Sequence, residues 1–91
     1  MAISNCLFYG NQALNGGAIC FFEYGHGHLI NNTIVNNSSA NVGGGVRLWN
    51  TSAILTNNII RGNHGSSGPQ VHGTGTVTYC NVEGGRSGEG N

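Results

Sequence analysis

The sequence predicts an all-β fold in which the chain winds as a parallel β-solenoid of three to four coils, with a period of about 22–27 residues. Similar residues recur at this spacing, as in Asn11, Asn37 and Asn63. Glycine occupies 17 of the 91 positions. Glycine and asparagine separate short β-forming runs, which indicates strands joined by tight bends. Helical repeats are longer, and the Leu-x-x-Leu-x-Leu frame of leucine-rich repeats is absent.

The period divides a single domain, 1–91, into three coils and part of a fourth. Val77 follows Leu55 after 22 residues, so the third coil is short, and its missing residues fall within "HGSSGPQVHGTGT". Successive coils would lie about 4.8 Å apart, so that like positions stack in columns. The predicted coils span approximately 3–28, 29–54, 55–76 and, in part, 77–91.

Apolar residues at the same step predict the inward columns. The predicted columns are Phe8–Ile34–Ile60–Val82, Ile19–Val46–Val71, and Phe21–Leu48 ending at Gly73. A further set, Ile3–Leu29–Leu55–Val77, shares the step. Ile3 and Phe8 are five residues apart, so alternation along a strand would send their side chains to opposite faces unless the chain bends between them. The sequence leaves the direction of that column open.

Two columns of polar residues accompany the apolar ones and predict an asparagine ladder. Asn32 and Asn58 continue from Cys6, and Asn11, Asn37 and Asn63 form the second column. An inward asparagine can bond the asparagine of the next coil and satisfy backbone groups at a bend. Asparagine also tolerates left-handed backbone, which suits the corners of a coil.

Charged residues are few, and this argues against several classes of function. Three arginines balance three glutamates, and the chain has no lysine and no aspartate. We therefore expect neither a nucleic acid partner nor electrostatic attraction to an acidic membrane. No apolar run approaches the length of a membrane span, so no membrane insertion is expected. The start "MAISNCLFYG" lacks a signal-peptide pattern, and the residues leave localisation open.

The three cysteines and the histidines predict no cofactor. Cys6, Cys20 and Cys80 cannot all pair within one chain, and their spacing gives no zinc pattern. His26 and His28 form a His-x-His pair that could hold a metal, but two imidazoles make an incomplete site. His64 and His72 lie in later coils. Exposed loop histidines are the favoured interpretation, and no metal site is predicted. The glycine clusters lack the lysine of a phosphate loop.

The segments "NCLFYGNQALNGGAI" and "NNTIVNNSSANVGGGV" resemble the right-handed parallel β-helix repeats of large bacterial secreted and surface proteins. They are similar to the GGA-I repeats of polymorphic outer membrane proteins, and "VTYCNVEGGRSGEGN" resembles a closing coil. The resemblance covers nearly the whole chain. It implies a right-handed β-helix, a secreted or surface location, and a short or truncated member of the group.

This fold hosts adhesins, lyases, hydrolases and stalks, so function depends on the site. The resemblance implies that enzymes of this shape hold calcium with clustered aspartates or hydrolyse with several of them. This chain has no aspartate, and Glu23, Glu83 and Glu89 are scattered. We therefore predict a non-catalytic scaffold or adhesion-type module. The alternatives are a truncated carbohydrate-active enzyme and a free-standing self-assembling structural protein.

One surface feature suggests a ligand or partner contact. If Ile19 and Val46 point inward, alternation along their strands sends Phe22, Arg47 and Trp49 outward. Phe22 and Trp49 would then lie on adjacent coils with Arg47 beside them. Such a platform could bind a sugar or a protein. In the alternative, the loop "EYGHGH" folds over the platform and buries it.

The ends of the predicted solenoid suggest that the chain associates with copies of itself. A short solenoid leaves strand edges and core uncovered at its first and last coils, and no capping sequence or disulfide is evident. We therefore expect self-association through the open ends, by end-to-end stacking or by exchange of a terminal strand.

Overall fold

The computed structural model describes residues 1–22 and 26–91, and in these residues the chain forms a parallel β-solenoid of about three turns. The predicted all-β solenoid is confirmed. The strands are β1 Ala2–Ser4, β2 Leu7–Tyr9, β3 Gln12–Ala13, β4 Ile19–Phe22, β5 His28–Ile30, β6 Thr33–Val35, β7 Ser38–Ser39, β8 Val46–Trp49, β9 Ile54–Thr56, β10 Ile59–Arg61, β11 Val71–His72, β12 Thr76–Thr78 and β13 Asn81–Val82. Nothing in the described part of the chain is a helix long and apolar enough to cross a membrane.

Every strand pairs with the equivalent strand of a neighbouring turn, and every such pairing is parallel. The sheets have the orders β1-β5-β9-β12, β13-β10-β6-β2, β11-β8-β4 and β3-β7. Phe8 pairs with Ile34, Ile34 with Ile60, and Ile60 with Val82. The sequence period is therefore the spatial repeat, and residues about 26 positions apart lie side by side.

The core consists of the inward columns, and it also contains the column whose direction the sequence left open. Leu29, Ile34, Leu55 and Ile60 are completely buried. Both Leu29 and Ile34 can point inward because the intervening Asn31 has a φ of 57°. A left-handed residue turns the chain and resets the side-chain alternation.

Left-handed residues also stack in columns, and these columns define the corners. The first corner is formed by Asn5, Asn31, Asn57 and Tyr79, the second by Gly10, Asn36, Gly62 and Gly84, and the third by Gly16, Gly43 and Gly68. In the first two corners a left-handed residue immediately precedes the inward asparagine, which is Asn32 or Asn58 at the first corner and Asn37 or Asn63 at the second. Asparagine and glycine predominate at these corners because they adopt this conformation at low cost.

A paired glycine follows the third corner in the first two turns because the stacked backbones lie in contact there. A Cβ added at Gly17 would lie 2.2 Å from the carbonyl oxygen of Gly44. A Cβ added at Gly44 would lie 2.2 Å from the carbonyl oxygen of His64. Any side chain at either position would therefore push two turns apart.

The asparagines inside the coil bond from turn to turn. The Asn58 side chain accepts from the Asn32 backbone N–H at 2.9 Å and donates to the Leu29 carbonyl at 2.8 Å. In the second column, Asn37 Oδ1 accepts from the Asn11 backbone and side chain at 2.9 and 3.0 Å. Among the described residues, no buried side-chain nitrogen or oxygen lacks a hydrogen-bond partner.

The C-terminal end of the solenoid differs from the expectation of an open end, because the chain caps it. Asn91 Oδ1 accepts from the Cys80 backbone N–H at 2.8 Å, and Asn91 Nδ2 donates to the Val77 carbonyl at 2.7 Å. Arg86 donates to the Val71 and Gly73 carbonyls at 3.2 and 2.6 Å, which covers the outer edge of β11. The expectation that no capping sequence exists is therefore wrong for this end.

Candidate functional site

The aromatic site is built by the register between β4 and β8. Ile19 and Phe21 are buried, so the alternate residues Cys20 and Phe22 face outward. The pairing sets Phe22 beside Trp49 and Cys20 beside Arg47. We call the surface formed by Phe22, Arg47 and Trp49 the aromatic platform.

The platform is exposed and its side chains contact one another. The rings of Phe22 and Trp49 lie edge to face, with centroids 4.7 Å apart and planes at 83°. Their exposed fractions are 54% and 40%. Such a pair stabilises its own geometry by about 0.5–1.5 kcal/mol beyond area burial. The rings are therefore held in a fixed arrangement while half of their surface faces solvent.

Arg47 orders the platform from one side. Its guanidinium carbon lies 4.4 Å from the centroid of the Trp49 ring, within the range of a cation–π contact. Its Nη1 also donates to Asn15 Oδ1, in the turn before. The two contacts fix a long side chain that would otherwise be mobile. Asn15 could not be predicted as this partner from the sequence, because it belongs to no repeated column.

A polar cleft begins at the residue after Trp49. It has a volume of about 350 Å³ and is lined by His26, Asn50, Thr51, Ser52 and Thr74. The lining offers hydroxyl, amide and imidazole groups, which can donate and accept hydrogen bonds. An aromatic surface therefore borders a concave polar one at the same corner of the solenoid.

The platform spans two turns and ends at the third. The residue beside Arg47 in the next turn is the half-buried His72. Gly73 follows, and a Cβ there would lie 1.9 Å from the Leu48 carbonyl oxygen. Thr74, which comes next, faces the polar cleft. The site thus changes from aromatic to polar along the solenoid axis.

The alternative in which the loop "EYGHGH" covers the platform concerns residues 23–28. Of these, Glu23, Tyr24 and Gly25 lie outside the described residues. His26 and His28 are described, and both are exposed.

The four histidines lie in different places. His26 borders the polar cleft, whereas His28 lies on β5, where its pairing partners are Ala2 and Ile54. His64 is exposed and bridges to Ser38. Within residues 1–22 and 26–91, no group of three or more histidine, cysteine, aspartate or glutamate side chains could hold a metal ion.

The described carboxylates and thiols take no part in the platform. Glu83 Oε1 accepts from the Gly62 N–H at 2.7 Å and from Gln70 Nε2 at 3.2 Å, whereas Glu89 is exposed on the C-terminal segment. Glu23 lies outside the described residues. Cys6 and Cys20 are exposed and Cys80 is buried, and all three thiols are free.

Comparison with family models, with curated protein sequences and with solved structures finds no match for this chain.

Proposed function

We propose that this chain is a non-catalytic scaffold module of the bacterial secreted or surface type, and that its aromatic platform binds a glycan. The observation that carries the proposal is the exposed pair of Phe22 and Trp49, fixed by Arg47 and bordered by the polar cleft. Exposed, ordered aromatic rings next to convergent polar groups are typical of binding sites.

The chemistry of a sugar suits this combination. A pyranose presents an apolar face of C–H groups, which can pack on an aromatic ring, and a rim of hydroxyls. The rim would bond to Asn50, Ser52 and Thr74, whose side chains both donate and accept. A neutral or weakly acidic glycan is the favoured class, because Arg47 is the charged member of the three described residues that form the platform.

The scaffold role is supported by the interior of the coil. We propose that the two asparagine columns act as ladders, in which each Oδ1 accepts from the turn before and each Nδ2 donates back to it. A ladder of this kind fixes the register of the turns, and the register in turn places Phe22 on Trp49.

The non-catalytic assignment is supported by the placement of the acids. Two positioned carboxyl groups are required for glycoside hydrolysis. Glu83 is bonded to the backbone N–H of Gly62 and to Gln70 on the β10 side of the solenoid, rather than beside the platform. An assay for release of reducing ends and unsaturated uronates from polysaccharides separates this proposal from that of a truncated carbohydrate-active enzyme.

The test is a glycan array followed by calorimetric titration of the strongest ligand with matched variants. We expect Trp49→Ala and Phe22→Ala each to weaken binding at least about tenfold, since each loses a contact of roughly 1.4 kcal/mol or more. Tyr9→Ala is the control, because Tyr9 is an exposed aromatic residue on another sheet. No binding to any glycan, or equal losses in all three variants, would refute the proposal.

A further inference from the structure

We propose that the aromatic platform binds a single pyranose at the end of a glycan chain rather than a flat run of consecutive sugars. The proposal rests on the proposed function, and it is carried by the angle between the two rings of the platform. That angle decides which shape of sugar surface can lie against both rings at once.

The two rings form a corner instead of a flat surface. The planes of Phe22 and Trp49 meet at 83°, and the edge of one ring lies against the face of the other, with centroids 4.7 Å apart. This contact is favourable because the positive edge of one aromatic ring meets the negative face of its neighbour. The contact between the rings therefore holds the corner in place.

An extended, flat glycan does not fit such a corner. Consecutive pyranoses of a flat ribbon present their C–H faces in roughly one plane, so stacking on two aromatic residues requires two rings in that plane. Phe22 and Trp49 are paired on neighbouring strands about 4.8 Å apart, which is close enough to serve adjacent sugars. Only one of the two rings can lie flat beneath a ribbon, however, and the other stands across its path.

Arg47 reduces the flat surface further. Its guanidinium carbon lies over the Trp49 ring, 4.4 Å from the centroid, so this group occupies one face of the indole. The bond from Arg47 Nη1 to Asn15 Oδ1 holds the guanidinium there. Trp49 therefore offers a single face to a ligand, and it is the less exposed of the two rings.

A single pyranose can use the whole corner. When its C–H face lies on one ring, its edge is turned toward the other, so that both rings contact the same sugar. Its hydroxyl rim then meets the polar cleft, which begins at the residue after Trp49 and includes Asn50, Ser52 and Thr74 in its lining. Their side chains both donate and accept hydrogen bonds, as sugar hydroxyls do.

The perpendicular ring also makes the bound sugar a chain end. A sugar inside a linear glycan needs open space at both of its linkages, which lie on opposite sides of the pyranose. The upright ring closes one of these sides, so the chain leaves on the other side only. The cleft has a volume of about 350 Å³, near the lower limit of the roughly 300–1,000 Å³ of small-molecule sites, which suits a short glycan segment.

The test measures how affinity depends on the length of the sugar chain. The protein is titrated calorimetrically with a disaccharide-to-hexasaccharide series built from the sugar that binds best on the glycan array, and it is mixed with crystalline cellulose and chitin. We expect the dissociation constant to change by less than about threefold along the series, and we expect no adsorption to either solid. A gain of about tenfold or more with length, or adsorption that Trp49→Ala abolishes, would overturn the proposal.

Saturation-transfer NMR locates the contact within the ligand. On irradiation of the aromatic protons of the protein, we expect the signal to be strongest in the terminal sugar. Removal of that sugar by an exoglycosidase should weaken binding at least about tenfold. Equal transfer to successive internal sugars, or unchanged binding after trimming, would overturn the terminal-sugar proposal while leaving glycan binding intact. Absence of binding to any glycan would instead refute the proposed function, and the terminal-sugar proposal with it.

Phe22→Ala tests the corner itself. The variant leaves Trp49 without a perpendicular neighbour, so a longer chain can pass over the remaining ring. We expect the affinity for the hexasaccharide, relative to that for the disaccharide, to rise at least about threefold in this variant. The ratio should stay unchanged in Tyr9→Ala, because Tyr9 lies on β2 in another sheet. An unchanged ratio in Phe22→Ala would show that the perpendicular ring does not block the chain.

Discussion

Replacing Asn58 with leucine tests whether the inward asparagines stabilise the solenoid through their hydrogen bonds or only through their volume. Leucine has nearly the same size, so the substitution removes the bonds without leaving a large cavity. The Asn32 N–H, completely enclosed in the core, loses its acceptor at 2.9 Å. The Leu29 carbonyl loses a donor at 2.8 Å.

The magnitude follows from these two losses. A buried N–H left without a partner costs about 1–3 kcal/mol, and an ordinary hydrogen bond contributes about 1 kcal/mol. The sum is about 3 kcal/mol, a large part of the roughly 5–15 kcal/mol by which a domain is stable. For a chain of this size we expect the melting temperature to fall by about 12–24 °C.

The assay is urea and thermal unfolding followed by far-ultraviolet circular dichroism and by the fluorescence of the single tryptophan, Trp49. Asn11→Leu is the matched control, because Asn11 is exposed and its side chain donates to Asn37 Oδ1 while the backbone N–H bond to that oxygen remains. We expect it to cost less than about 1 kcal/mol. If Asn58→Leu and Asn11→Leu differed by less than about 0.5 kcal/mol, the reasoning about buried bonds would be refuted.

Three further predictions follow from burial and backbone conformation. Ile60→Ala should lower the free energy of unfolding by about 2–5 kcal/mol, because the side chain is completely buried. The neighbouring Ile59→Ala, 45% exposed, should cost less than about 1 kcal/mol in the same urea titration; equal costs would contradict the inward direction of Ile60. Gly10 has a φ of 71°, and an added Cβ would meet no atom within 4 Å, so Gly10→Val should destabilise more than Gly10→Asn by about 1–2 kcal/mol, measured by thermal unfolding. With a thiol reagent, Cys20 should react in the folded protein and Cys80 only on unfolding, as followed by mass spectrometry of peptides; rapid labelling of Cys80 in the native state would contradict its burial.

The fold could be predicted from the sequence because, in a solenoid, residues that are one period apart along the chain contact each other. Residues one period apart are paired in space, so Phe8, Ile34 and Ile60 identified one column without any knowledge of the structure. Alternation along β4 and β8 then placed the platform residues on the outer surface. The distances and angles of the platform could not be predicted, since they depend on side-chain conformations that the repeat does not specify.

The cap could not be predicted, because its residues do not repeat. Arg86 and Asn91 belong to no column, and Gln70, which bonds to Asn63, stands at the position that Gly45 occupies in the turn before. Each closes a site that the regular pattern leaves open, and a period reveals only the positions that recur. One signal was available: Cys80 and Gly85 follow Asn58 and Asn63 after 22 residues, so the asparagine columns end there on some other polar side chain or remain unsatisfied.

The direction of the Leu29 column could not be predicted either, because it depends on the backbone conformation of one residue. Strand alternation alone does not allow Leu29 and Ile34 both to face the core. The left-handed Asn31 between them removes the conflict, but an asparagine followed by a second asparagine gives no indication of which one turns the chain. In the structure the first of each pair turns and the second points inward. Tyr79 occupies the same corner as Asn31, so residue type alone would not have located it.

Inward and outward columns are subject to different constraints, and this difference explains why the platform is local. An inward position must match its neighbours above and below in size and hydrogen bonding, so its residues change little from turn to turn. An outward position touches solvent and can change freely, as where Arg47 pairs with Cys20 in the turn before and with His72 in the turn after. Two adjacent aromatic residues in an outward column are therefore not required by the fold. Their contact with each other and with Arg47 produces a fixed and exposed surface, and this supports our proposal that the surface binds a ligand.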